Sequence, residues 1–197
     1  IMFSKIIIFL LSLTLSDSNF FIFKSYRFQK ELLIDAANNE YKFQHQDLVG
    51  TFPNLALNSV PILTYLSRYD TNNKNFNVAI ARLQRSLVHN PNSLYSKYLL
   101  ARNYIYLNNM INAELVLEDL FYESPNLRSS SSLYFAVLAT NKNFPKLKSH
   151  FQNIKTIDDQ IIWSFYLESL RNLYEDKGFD NFYYLVLKEY NIKFSVN

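Results

Sequence analysis

An aromatic and cationic set recurs at helical spacing between residues 95 and 106. Tyr95, Tyr98, Arg102 and Tyr106 follow one another at intervals of three and four residues, which places them along one side of a helix. Tyrosine and arginine combine a large contact area with directed polar groups, and both are frequent in the energetically dominant centres of protein interfaces. The set predicts noncovalent binding. The competing interpretation is that Tyr98 and Tyr106 pack against neighbouring helices.

Tyr65 and Arg68 repeat the same combination of residue types upstream and extend the predicted surface. The candidate partner-binding groove consists of six residues: Tyr65, Arg68, Tyr95, Tyr98, Arg102 and Tyr106. A protein or peptide is the expected ligand of such a surface. An envelope glycan is the second possibility, because sugars also stack on aromatic rings.

Catalytic, cofactor-binding and metal-binding patterns are absent from the sequence. His45, His89 and His150 lie more than forty residues apart, and none has the spacing of a metal-ligand motif. The chain has no cysteine. Its two glycines, Gly50 and Gly178, cannot form a P-loop or a dinucleotide-binding turn. We therefore predict no enzyme activity in these residues, no metal and no cofactor.

The composition is that of a folded domain. Hydrophobic residues make up 49% of the 197 positions and aromatic residues 17%, which is incompatible with disorder. The net charge is only +3 and the basic residues are dispersed, so the electrostatic footprint of a nucleic-acid-binding protein is missing. Nucleic acid is accordingly not an expected partner.

The predicted groove residues belong to a pair of amphipathic helices between Asn92 and Pro125. Apolar residues recur there at intervals of three and four, and Asn108-Asn109 interrupts the pattern with residues that favour a turn. The same outline occurs once more upstream: 34 residues separate Ala79 from Ala113, and 34 separate Pro91 from Pro125. A period of about 34 residues is typical of helix–turn–helix repeats.

These residues resemble the tetratricopeptide repeat. Leu100, Ala101 and Tyr104 match the large, small and aromatic positions of its first helix, Ala113 the small position of its second helix, and Pro125 the terminal proline. Lys97 stands where the first helix usually has an aromatic residue, Leu120 stands where a small one is usual, and Leu147 replaces the small residue in the third unit. The resemblance implies an all-α, antiparallel helix-hairpin stack, a short α-solenoid that binds partners on its first helices.

Charged and polar runs follow the second unit. Glu114, Glu118, Asp119 and Glu123 line one side of a helix and predict a solvated acidic face, with a site for a basic partner as the alternative. Lys142, Lys146, Lys148 and Lys155 form a loose basic counterpart, and a weak interaction between the two patches within the chain is a further alternative. The serine run Ser129–Ser132 predicts either a helix N-cap or a flexible joint.

Residues 1–23 are the most apolar part of the chain. They predict either a secretory signal or one end of a membrane span. A buried core helix is the third interpretation. A helix from Lys24 to Glu40 is expected to follow, ended by Asn38-Asn39. Both main interpretations place the rest of the chain at a membrane or beyond it, anchored in the cell envelope with the exported side favoured.

The order of an apolar segment, a charged helix and degenerate repeats resembles the C-terminal region of envelope membrane proteins related to O-antigen ligases and polymerases. This resemblance covers roughly residues 10–155. It implies the accessory tail of a glycan-transferring enzyme, whose catalytic residues would lie elsewhere.

The sequence thus predicts four regions: a membrane anchor or signal (1–23), a linking helix and loop (24–57), tetratricopeptide-like repeats (58–156) and C-terminal capping helices (157–197). The expected function is that of a non-catalytic, membrane-associated scaffold. The alternative is the accessory tail of a membrane glycan ligase or polymerase.

Overall fold

The computed structural model describes residues 2–41, 55–56, 58–174 and 179–194. These residues form ten α-helices and no β-strand, which confirms the predicted all-α class. The helices are α1 (Met2–Asn38), α2 (Ile62–Asn72), α3 (Phe76–His89), α4 (Leu94–Tyr106), α5 (Met110–Glu123), α6 (Arg128–Thr140), α7 (Phe144–Ser149), α8 (Phe151–Thr156), α9 (Gln160–Tyr174) and α10 (Asn181–Phe194). Most of the predicted linking loop, including His45 and Gly50, lies outside the described residues, and so does Gly178.

The N-terminal region forms one helix where the sequence predicts two segments. Helix α1 runs from Met2 to Asn38 without a break at Lys24. It ends as predicted at the two asparagines, because Asn39 adopts a left-handed conformation with φ of 54°. Within the described part of the chain, no helix is both long enough and apolar enough to cross a bilayer.

The chain divides into two compact units, residues 1–96 and residues 97–197. The core of unit 1 joins the C-terminal half of α1 to α2, with Phe28, Leu32 and Leu66 buried together. Tyr69 donates a hydrogen bond of 2.6 Å to Asp35 Oδ2 and so ties α2 to α1. Burial and this bond to the carboxylate raise the pKa of the Tyr69 phenol above its ordinary value.

A cluster of four buried hydroxyl groups joins α2, α3 and the start of α4 within unit 1. Thr64 Oγ1 lies 2.5 Å from Ser86 Oγ and 2.6 Å from Ser96 Oγ. Ser96 in turn donates to Ser93 Oγ at 2.7 Å. Every member therefore has a partner, as buried polar groups require.

The core of unit 2 is built largely from aromatic residues of α6 and α9. Tyr134, Trp163 and Tyr166 are almost completely buried. Their polar atoms are bonded: Trp163 Nε1 donates to the Ile157 carbonyl at 2.9 Å, and Tyr166 Oη donates to the Leu147 carbonyl at 2.8 Å. These bonds connect α9 to α7 and to the residue that follows α8.

The serine run lies inside α6, so neither the N-cap nor the flexible-joint interpretation is correct. Helix α6 begins at Arg128, one residue before the run. Ser130 Oγ donates to the Leu127 carbonyl and Ser131 Oγ to the Pro125 carbonyl, at 3.0 and 2.8 Å. The hydroxyls bond the carbonyls of the preceding turn rather than the free N–H groups of a helix start.

Three helix pairs, α2–α3, α4–α5 and α6–α7, are closed by the same turn. Lys74, Asn108 and Lys142 adopt left-handed φ values of 60°, 57° and 54°, and 34 residues separate each from the next. The asparagine that follows each of them donates its N–H to a carbonyl five residues back, at 2.8, 2.8 and 2.9 Å. This is the bond pattern that terminates a helix in a left-handed residue. The turn geometry thus repeats with the period of the sequence.

Replacement of Lys142 by glycine is expected to stabilise the protein. A left-handed conformation strains any residue that carries a Cβ, and glycine removes that strain, so the free energy of unfolding should rise by about 0.5–1 kcal/mol. Asn108→Gly should give a smaller gain, because asparagine tolerates this conformation. Urea denaturation measures both changes.

Lys188→Gly serves as the control, because Lys188 is exposed in the interior of α10. Glycine there should lower the free energy of unfolding by about 1 kcal/mol. A loss of stability at both lysines would contradict the assignment of strain to the turn.

Candidate functional site

An open groove of about 600 Å³ lies in unit 2 across α4, α6 and α9. Sites that hold small ligands have volumes of roughly 300–1,000 Å³, so the groove can hold a short segment of a partner. Helix α4 contributes Tyr98. Helix α6 contributes Ser129, Ser132, Leu133, Ala136, Ala139 and Thr140. Helix α9 contributes Phe165, Glu168, Ser169 and Asn172.

Small side chains on α6 form the floor of the groove. Ser129, Ser132, Ala136 and Ala139 succeed one another at intervals of three and four residues and therefore share one face of the helix. The opposite face carries the buried core residue Tyr134. Because no long side chain rises from the floor, a ligand can approach the helix backbone closely.

The walls of the groove are aromatic at Tyr98 and Phe165 and polar along α9. Phe165, Glu168, Ser169 and Asn172 lie at intervals of three, one and three residues along α9. Ser169 is only 5% exposed, and its hydroxyl has no hydrogen-bond partner among the residues that the structure describes. The hydroxyl itself is not sealed from solvent, so it is open to a ligand in the groove.

One predicted site residue lines this groove, and two more are joined to it. The guanidinium of Arg102 lies 5.8 Å from the ring centre of Tyr98 and 5.6 Å from that of Tyr106. Arg102 also donates a hydrogen bond of 2.5 Å to Tyr106 Oη. These contacts hold Arg102 between the two rings, so Tyr98, Arg102 and Tyr106 form one preformed surface on α4.

The remaining predicted residues lie in unit 1, where they contribute to packing. Tyr65 is 6% exposed and belongs to the core, and its ring centre lies 6.2 Å from that of Tyr95. Arg68 donates a 2.8 Å hydrogen bond to Asn39 Oδ1 and lies 5.3 Å from the ring centre of Tyr41. Arg68 thus supports the end of α1.

The lining residues of α6 and α9 were not predicted from the sequence. Ser129, Ser132, Ala136 and Ala139 do form a stripe of small residues at helical spacing, which is the one signal that could have marked this face. The apolar pattern of α9 pointed to its core side instead. Only the packing of α6 beside α9 brings the two faces together.

The predicted acidic face of α5 is largely neutralised within unit 2. Lys146 Nζ lies 2.9 Å from Glu114 Oε1 and 2.7 Å from Glu118 Oε2. Burial opposes ionisation of Glu114, but hydrogen bonds from Asn141, Lys146 and Asn143 outweigh it and lower the pKa of this carboxyl group. The interpretation as a purely solvated face is therefore wrong for these two residues.

Lys97 neutralises the other half of the acidic face. Its ammonium group lies 2.7 Å from Asp119 Oδ2 and 2.5 Å from Glu123 Oε1, and its side chain is only 10% exposed. Burial works against the charge, yet the two carboxylates raise the pKa of Lys97. Lys97, which stands where the first helix of a tetratricopeptide repeat usually has an aromatic residue, is thus ion-paired in this protein.

His150 is buried between α5 and α6. Its Nε2 lies 2.9 Å from Tyr134 Oη, and the rings of Phe121 and Tyr122 lie 5.2 and 5.6 Å from it, centre to centre. Burial lowers the pKa of His150, with Glu118 opposing the shift and Lys146 adding to it. The imidazole is neutral and serves packing. Across the described ranges, no three histidine or acidic side chains gather as a metal site would require.

No family model matches the chain, and no curated protein matches it. The resemblances to tetratricopeptide repeats and to envelope glycan-transferring proteins stay predictions.

The protein should lose stability in mild acid because His150 is buried in its neutral form. Its pKa in the folded state is below the ordinary 6.5, so the unfolded chain binds the proton first as the pH falls through 6.5. The free energy of unfolding should then fall by up to about 1.4 kcal/mol per pH unit. His150→Gln should flatten this slope between pH 7.5 and 5.5, as measured by urea denaturation.

The exposed His89 gives the matched control, and His89→Gln should keep the slope of the parent protein. If His150→Gln left the slope unchanged, the buried neutral imidazole would not be its source.

Removal of the Ser169 hydroxyl should not harm the fold. Since this group has no partner among the described residues, Ser169→Ala is expected to leave the free energy of unfolding unchanged or to raise it by up to about 1 kcal/mol. The control is Ser86→Ala, which deletes a buried hydroxyl that bonds Thr64 and should cost about 1–2 kcal/mol. Equal losses for the two variants in thermal or urea unfolding would show that Ser169 has a structural bond.

Proposed function

We propose that this chain is a tetratricopeptide-like repeat domain that binds a segment of a partner protein in the groove of α4, α6 and α9 and carries out no catalysis. The observation that carries the proposal is the groove itself. It is open, has a floor of small residues and aromatic walls, and has the Ser169 hydroxyl on its lining. Such a surface suits a ligand that brings both apolar side chains and backbone polar groups.

The repeated turn supports the proposed architecture. Three left-handed turn residues, Lys74, Asn108 and Lys142, recur at intervals of 34 residues with the same backbone bonds. Ala79 and Ala113 lie at equivalent places in the second helices of the first two pairs, and both are fully buried. A small buried residue lets two helix axes approach closely, as the stacking of helix pairs requires.

The position of the groove is the one expected for such an architecture. Helices α4 and α6 are the first helices of their pairs, and α9 starts the next pair with α10. Stacked repeats present an extended surface on corresponding helices, and that surface is where repeat proteins bind. The predicted residue Tyr98 lies on it.

Membrane association through residues 1–23, location in the cell envelope and a glycan as ligand stay predictions of the sequence. The same holds for a role as the accessory tail of a glycan-transferring enzyme. None of them is needed for the binding groove to act.

Filling the groove should abolish partner binding without unfolding the protein. Ala136 is exposed on the floor of the groove, so Ala136→Trp places a large ring where the ligand would lie. Peptides selected from a random displayed library on the full chain should lose at least tenfold in affinity for this variant. Fluorescence anisotropy measures the affinity, and circular dichroism checks the fold.

Ala81→Trp is the matched control, since Ala81 is an exposed alanine of α3 outside the groove. It should keep the affinity of the parent chain. The proposed binding site would be refuted if the selected peptides bound the Ala136→Trp variant as tightly as the parent, or if the library yielded no binder at all.

A further inference from the structure

We infer that the segment held in this groove is basic, with a lysine or arginine that pairs with Glu168. The inference rests on the proposed function and adds to it the chemical class of the partner. It follows from the charges that the groove presents, from the charges that unit 2 has already neutralised, and from the polar groups next to Glu168.

Glu168 is the one charged side chain among the residues that line the groove. It is exposed, and no cation pairs with it within the described residues. Most other carboxylates of unit 2 differ in this respect. Lys146 pairs with Glu114 and Glu118, Lys97 with Asp119 and Glu123, Arg128 with Asp159, and Lys155 with Glu189. The groove therefore keeps a net negative charge.

An acidic partner would find no cation on the groove lining. Arg102 lies against the rings of Tyr98 and Tyr106 and donates a hydrogen bond to Tyr106. Arg171 is not on the groove lining; it lines a neighbouring hollow, which Glu168 also lines. Glu168 would repel a carboxylate in the groove, so the negative charge of the groove disfavours acidic segments.

The aromatic walls suit the rest of a lysine or arginine side chain. Its aliphatic stem can lie on the rings of Tyr98 or Phe165 while the charged end reaches a carboxylate. Arginine gains most from such a site, because its planar group both stacks on rings and bonds a carboxylate through two N–H groups. Glu168 and Phe165 are three residues apart on α9 and therefore share one face.

Ser169 and Asn172 supply bonds to the backbone of the same segment. Ser169 is 5% exposed and lines the groove with a hydroxyl that has no partner in the described part of the chain. Asn172 follows one turn of α9 later and adds an amide that can both donate and accept. Because the floor residues Ser132 and Ala136 have small side chains, a peptide backbone can approach close enough to bond these groups.

The test uses the full chain and a displayed library of random heptapeptides. Selection should enrich lysine or arginine next to an aromatic or branched aliphatic residue. Glu168→Gln should weaken binding of the enriched peptides about fivefold, the upper range for an exposed ion pair. Binding to the parent chain should also weaken as salt is raised from low to physiological concentration, and much less so for the variant.

Reversal of the charge sharpens the test. A repeated selection on Glu168→Lys should enrich aspartate or glutamate in place of the basic residue. Asp158→Asn is the control, because Asp158 is an exposed acid outside the groove lining, and it should change neither affinity nor selection.

The outcomes separate the inference from the proposed function. Enriched peptides that are acidic or uncharged, yet fail to bind Ala136→Trp, would overturn the basic partner and leave the groove as the binding site. Basic peptides that bind Ala136→Trp as well as the parent chain would overturn both. Basic peptides that require an open groove and Glu168 would establish both.

Discussion

The left-handed turn between paired helices is the constraint on which the described structure depends. A residue with φ near +60° at Lys74, Asn108 and Lys142 reverses the chain within a few residues, so each pair of helices must lie antiparallel. The bond from the next asparagine to a carbonyl five residues back satisfies a helix end that would otherwise be unpaired. Ala79 and Ala113, at equivalent places in α3 and α5, are fully buried, and small residues at such places allow helices to pack closely.

The distribution of charge follows from how these pairs are built. Two lysines, Lys97 and Lys146, each bridge two carboxylates of α5 and so withdraw four acids from the surface available to partners. Lysine can do this because its flexible stem reaches across a helix while its ammonium group bonds several oxygens. What remains unpaired on the groove is a single carboxylate at Glu168. The proposed selectivity for a basic partner therefore depends on neutralisation elsewhere in unit 2 as much as on the groove itself.

Much of the fold was predictable because local signals and packing agree. The 34-residue spacing of Ala79 and Ala113, with asparagines between the apolar runs, located the helices and turns to within a few residues. The helix expected from Lys24 begins at Met2 instead, since a change from apolar to charged residues alters what surrounds a helix without ending it. The serine run was misjudged for a related reason: serine bonds carbonyls of the preceding turn as readily as it caps a helix.

The candidate site was predictable only in part. Tyr98 was identified because aromatic and cationic residues at helical spacing mark a surface whatever lies beside it. The rest of the groove depends on the pairing of α6 with α9, which no short stretch of sequence encodes. The pairing of Lys97 with Asp119 and Glu123 was equally hidden, because a long charged side chain reads as exposed until the neighbouring helix is in place.

The four hydroxyls at Thr64, Ser86, Ser93 and Ser96 give unit 1 a property that apolar packing alone would lack. Apolar side chains of similar volume tolerate small sliding of one helix past another, since dispersion contacts have no preferred direction. Hydrogen bonds of 2.5–2.7 Å among three helices do not, because a shift of one atom's width leaves buried polar groups unpaired. The hydrogen bonds of the cluster therefore fix one alignment of α2, α3 and the start of α4. Substitution of any of the four residues is tolerated less well than in an apolar core, because it leaves a buried hydroxyl unpaired.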